Sequence, residues 1–137
     1  MDRIAYEKFC RDASSSLDLP NTERLGEGGL VDVDGVEMQL VWNGTRHMQL
    51  HMEVGALEDQ SRLEAYEAAL TFQAQLAGLV TGMFVLDVAG DRLMFTLAIP
   101  MAEPMEGVDL AYVLRGFAAQ VTDWRCTILR GKVLAEV

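Results

Sequence analysis

The sequence predicts an α+β fold in the order αβββαββα, an antiparallel sheet with flanking helices. Three stretches repeat apolar residues every three or four positions, as amphipathic helices do. Two further blocks read as strands broken by turn signals at Asp34-Gly35, Asn43-Gly44 and Ala89-Gly90-Asp91. At roughly 150 residues per domain, 137 residues make one domain over 1–137, which excludes a tandem or multidomain enzyme. With 50% hydrophobic and 23% charged residues, such a chain buries about two-thirds of its unfolded surface.

The first helix runs from Asp2 to Leu17, with Tyr6, Phe9, Cys10, Ala13 and Leu17 at helical spacing, and Asp18-Leu19-Pro20-Asn21 ends it. A glycine loop, Gly26-Glu27-Gly28-Gly29, leads into Val31-Asp32-Val33. The Asp34-Gly35 turn follows, then a strand in which Val36, Met38, Leu40 and Trp42 share one face. After Asn43-Gly44, Met48, Leu50, Met52 and Val54 alternate with His47, Gln49, His51 and Glu53, completing a three-strand meander.

Ser61-Arg62-Leu63-Glu64 has the form of a capping box and opens a second helix reaching about Ala77. This helix carries two apolar stripes. One holds Leu63, Tyr66, Leu70, Ala74 and Ala77, the other Ala65, Ala68, Ala69, Phe72, Leu76 and Leu79. A helix apolar on two faces must bury two faces, and a single sheet covers one, so the other is expected to meet another subunit. The second hairpin, Met83 to Val88 and Leu93 to Ile99, is also apolar on both faces. Past Pro100, Pro104 and Gly107, a third helix aligns Leu110, Val113, Leu114, Phe117, Val121, Trp124 and Ile128, with Arg125, Arg130 and Lys132 near the negative end of its dipole.

Eleven Lys+Arg against 21 Asp+Glu leave a net charge of −10, and the sequence pI is near 4.5. Phosphate backbones and anionic lipid surfaces would repel this chain, which argues against nucleic-acid and membrane roles. Charges interrupt the N-terminal segment and no window holds 18 apolar residues, so a cytoplasmic location is expected. Two cysteines, Cys10 and Cys126, build neither a disulfide framework nor a four-ligand metal site, and are expected to be reduced packing residues on helix faces.

No catalytic constellation emerges. His47, His51 and Glu53 share a strand face, yet residues four apart on a strand stand about 13 Å from each other, so only His51 and Glu53 could chelate one ion. A solvated strand face is the better reading, and no metal or cofactor is expected. The glycine loop lacks the Lys-Ser/Thr of a phosphate loop and enters a strand instead of a helix. Asp32-Val33-Asp34-Gly35 begins like a calcium loop but lacks its later ligands. Ser14-Ser15-Ser16 has no nucleophile elbow, and neither cysteine has basic neighbours in sequence to activate it. An enzyme is therefore not expected. The unusual feature is eight methionines, among them Met38, Met48 and Met52 on adjacent strands beside Leu40, Leu50 and Trp42. A flexible thioether suits surfaces that accept varied apolar partners, although a single methionine more often fills a core gap.

This succession resembles the class I type III secretion chaperones, the CesT/Tir chaperone family. The resemblance is carried by Phe9, Leu17-Asp18-Leu19-Pro20, Val33-Asp34-Gly35, Leu50 through Gly55, and Thr81-Gly82 before Phe84-Val85-Leu86-Asp87. It continues with Gly90, Leu93, Phe95, Leu97, Ile99-Pro100-Met101 and Trp124-Arg125, and so spans nearly the whole chain. The chain departs from the family pattern at Phe72-Gln73, where many members show an Asn, and at Gly55-Ala56-Leu57, which lacks a proline that often follows.

The resemblance implies a bacterial cytoplasmic homodimer that binds the N-terminal region of a secreted effector in extended form, keeping it soluble and export-competent without ATP. Length and pI are also similar to those of the chaperone of a phospholipase toxin, which names a class of effector. A dimer interface is expected at Leu63, Tyr66, Leu70, Phe84 and Leu86, and a client groove at Phe9, Leu17, Met38, Leu40, Met48, Leu50 and Met52 or along a sheet edge. The alternative is a small α+β adaptor or ligand-binding module that takes a folded partner.

Overall fold

A computed structural model describes residues 1–76, 82–101 and 105–132. Its elements are α1 (Arg3–Ser16), β1 (Leu30–Val33), β2 (Val36–Val41), β3 (His47–Ala56), α2 (Arg62–Leu76), β4 (Gly82–Asp87), β5 (Arg92–Pro100) and α3 (Gly107–Cys126). The order is the expected αβββαββα, and the fold class is α+β. All strands are antiparallel, and the sheet runs β1-β2-β3-β5-β4. The join between the meander and the second hairpin is the β3–β5 ladder, which pairs Leu50 with Leu97 and Met52 with Phe95. A bulge between Glu53 and Gly55 bends β3 near its end.

Local chemistry accounts for most boundaries. Asp2 caps α1 by accepting from the Ala5 N–H at 2.8 Å. Asp34 and Gly35 both adopt positive φ, 51° and 89°, the turn that matches the twist of a two-residue hairpin. The Asn43-Gly44 connection is looser than a two-residue turn, because Trp42 leaves the strand to stack on Tyr6 with ring centroids 4.6 Å apart. A one-turn 3-10 helix, Asp59–Ser61, runs directly into α2, so Ser61 is helical already and not the extended cap the S-x-x-E pattern suggests. At α3 the Asp109 carboxylate accepts from the Glu106 N–H at 2.8 Å, a start signal the periodicity did not show.

Helices α1 and α3 cover one face of the sheet. Tyr6, Phe9, Cys10 and Ala13 from α1 and Leu110, Leu114, Val121 and Trp124 from α3 meet Val36, Met38, Leu40, Met48, Leu50, Met52, Phe95 and Ile99 in a continuous core. The two helices touch closely at Gly107, where a Cβ would stand 2.8 Å from the carbonyl oxygen of Phe9. Cys10 is buried as expected, and desolvation pushes its thiol up to about 11, so it stays protonated and inert near neutral pH. Cys126 is exposed at the end of α3, against the packing role expected of it. Ala77, Leu79 and Pro104 lie outside the described residues.

Candidate interaction surface

Helix α2 turns its small residues inward. Ala65, Ala68 and Ala69 are buried and let the helix approach the body, while Leu63 and Leu70 stand 76% and 68% exposed. Among the described side chains the alanine stripe is thus buried and Leu63 and Leu70 of the other stand in solvent, with Tyr66 and Phe72 half-buried. Beneath α2, Phe72, Phe84, Phe95 and Trp124 form an aromatic cluster, with Phe84–Phe95 centroids 4.9 Å and Phe95–Trp124 centroids 4.8 Å apart. Edge-to-face contacts of this kind hold rings more firmly than area alone would. Arg62 clamps the start of α2 to the β4–β5 turn through Asp91 at 2.7 Å, with Asp59 at 3.1 Å.

Strand β4 is apolar and open on both faces: Met83 is 53% exposed on one and Leu86 41% exposed on the other. Tyr66, Ala69, Leu70, Phe84, Leu86 and Leu93 line a shallow groove of about 270 Å³ between α2 and β4. Covering a Leu side chain is worth about 2 kcal/mol. Leu63, Leu70 and Leu86 therefore form a surface that gains several kcal/mol from a partner. The five residues expected at a dimer interface all border this surface, with Tyr66 and Phe84 half-buried and the three leucines exposed.

The expected client groove is corrected by burial. Met38, Leu40, Met48, Leu50 and Met52 are core residues beneath α1 and α3, the three methionines fully enclosed, and Phe9 and Leu17 are buried on α1 and at its end. Strand alternation shows which residues share a face, but the helices take that face, so the methionine cluster fills a core and offers nothing to a partner. The apolar positions that do reach solvent near the expected groove are others. Leu19, Pro20, Leu30 and Val31 line a cleft of about 220 Å³ beside the free edge of β1, with Leu30 47% exposed. Met1, Ala5, Met105 and Val108 line another, of about 430 Å³, between α1 and the start of α3. Leu30 was legible as the odd member of the β1 alternation, opposite Val31 and Val33.

The opposite face of the sheet is polar across β2 and β3. Arg92 gathers Asp87 at 2.8 Å, Glu37 at 3.3 Å and Glu53, and its hydrogen bond holds the Asp87 carboxyl below the usual carboxylate range. His51 Nδ1 lies 2.9 Å from Thr96 Oγ1. Glu53 and His51 are thus engaged separately, and among the described residues no group of three His, Cys, Asp or Glu side chains is placed to hold a metal ion. Among the same residues no helix is long and apolar enough to cross a membrane.

No protein-family model matches the chain, and no curated protein matches it in sequence. Its fold is shared with solved structures. The ExsC-ExsE complex aligns over 99% of this chain and 100% of the other, at 14% identity and a TM-score of 0.71. The HopA1-SchA chaperone-effector complex aligns over 93% and 99%, at 19% identity and 0.63. The Yersinia pestis type III secretion chaperone SycH, solved with a stable fragment of YscM2, aligns over 86% and 98%, at 21% identity and 0.57.

Proposed function

We propose that this chain is a type III secretion chaperone of the CesT/Tir type, a homodimer of the bacterial cytoplasm. It holds the N-terminal region of a secreted effector in extended form, soluble and competent for export, without ATP, cofactor or catalysis. The observation that carries this reading is an apolar surface on α2 and β4 left in solvent, on a fold shared with a chaperone-effector complex and with a type III secretion chaperone. The dimer forms through Leu63, Tyr66, Leu70, Phe84 and Leu86. The client lies along β1, pairing with its free edge and seating apolar side chains against Leu19 and Leu30. The net charge of −10 keeps the complex soluble and draws basic client residues. A phospholipase cytotoxin such as ExoU is the first client to try.

Light scattering and co-expression test the two halves of this reading. The free protein should have twice the 15.1 kDa chain mass, and Leu63→Glu with Leu70→Glu should return it to a monomer that still melts cooperatively. Co-expressed with the N-terminal region of the effector, the parent should hold that region soluble, and Leu30→Asp should lose it while remaining folded. A parent protein that is monomeric at micromolar concentration, or one that captures only a folded partner, overturns the proposal and leaves the adaptor.

A further inference from the structure

The sheet ends in two edge strands, β1 and β4. An antiparallel edge strand turns the main-chain groups of every second residue outward, where another strand can pair with them. On β4 the central outward N–H belongs to Phe84. Phe84 stands opposite Phe95 in the β5 ladder, yet its N–H leaves the sheet and donates to Oε1 of Gln73 on α2 at 2.6 Å. By the same alternation Gly82 and Leu86 turn outward on either side of it. A helix side chain thus occupies the middle of an edge that is otherwise suited to pairing: residues 83–86 read Met-Phe-Val-Leu, with no charge and no proline.

We propose that Gln73 is a plug that keeps a second copy of this chain from adding its own β4 to this edge. The occupant excluded is the identical strand. Two copies of β4 placed antiparallel across a two-fold axis would pair main chain to main chain and bring apolar side chains together on both faces of the sheet. With the plug seated, copies that meet at α2 and β4 do so through side chains alone. The plug does not depend on the client or on an export role, and it would operate equally in an adaptor.

Gln73→Leu and Gln73→Met keep the length of the side chain and remove the acceptor, whereas Gln73→Glu keeps an acceptor at the same reach. Each variant and the parent are compared across a concentration series by light scattering and by amide exchange at Gly82, Phe84 and Leu86. The parent and Gln73→Glu should hold one mass throughout. In the Leu and Met variants the outward amides of Gly82, Phe84 and Leu86 should become protected as concentration rises and β4 pairs across the two-fold, and at low concentration their Phe84 amide should exchange on the order of tenfold faster, the worth of one lost hydrogen bond. If these amides gain no protection with concentration in either variant, the plug is overturned, even where exchange at Phe84 quickens, because the bond then only ties α2 to β4. Should both variants fail to fold, a synthetic peptide of residues 82–88 added to the parent protein decides: no binding supports the plug, and saturable binding overturns it.

Discussion

Arg125 on α3 donates through Nε to the main-chain carbonyl of Val54 at 2.7 Å, where β3 bulges. The same guanidinium reaches the Gly35 carbonyl at 3.0 Å and the Glu53 carbonyl at 3.3 Å. One planar fork therefore ties the last helix to the tip of the first hairpin and to the bulge, satisfying carbonyls that the bent ladder leaves free. Arg125→Met should cost about 2 kcal/mol in urea denaturation, the scale of hydrogen bonds to a charged group. Arg125→Lys should recover only part, since an ammonium on a flexible stem does not match three acceptors in a plane. Equal stability of the Lys variant and the parent would show that charge alone matters here.

Core and edge positions should respond oppositely to the same substitution. Leu50 and Met38 are fully enclosed, and a carboxylate placed there has no partner, so Leu50→Asp and Met38→Asp should abolish the folded state. Leu50→Ala, which leaves a cavity, should cost about 3 kcal/mol and stay folded. Leu30→Asp, on the exposed edge, should leave the thermal midpoint close to the parent's. Circular dichroism on the four variants checks the order, and a folded Leu50→Asp would contradict the placement of that strand face.

Gly107 opens α3 against α1, where an added Cβ would stand 2.5 Å from Asp12 Cβ and 2.7 Å from the Ala13 nitrogen. Backbone cannot rotate away as a side chain can. Gly107→Ala should therefore separate the two helices and cost about 1–3 kcal/mol by overpacking, read as a lowered melting temperature. Gly116 has open space around the same position, and Gly116→Ala in the middle of α3 should stabilise by about 0.5–1 kcal/mol through helix propensity.

Acid should release the clamp on α2. The hydrogen bond from Arg62 holds the Asp91 carboxyl below its ordinary value. A carboxyl depressed in the folded state contributes stability above the unfolded value of about 3.9, and that contribution is lost as pH falls through the lower folded value. The gap in melting temperature between the parent and Arg62→Met should stay level between about pH 6 and 8 and close below about pH 4. A gap that widens on acidification would mean that Arg62 acts through something other than the Asp91 carboxylate.

The sequence by itself determined the elements of this protein. Helical and strand periodicity, the Asp34-Gly35 turn and the charge balance are local or additive properties, so they survive without knowledge of what packs on what. The same patterns marked α2 as two-faced, because a helix shows both stripes whether or not a partner covers them. Only the tertiary structure decided which apolar face is core and which is surface. Met38, Met48 and Met52 read identically as a groove or as an interior until α1 and α3 are laid over them. Leu19 comes beside Leu30, and Gln73 meets the N–H of Phe84, through chain reversals that no local periodicity encodes. Burial is a property of the assembled layers, fixed by how three helices and five strands share limited apolar surface, and it passes to a residue from neighbours distant in sequence.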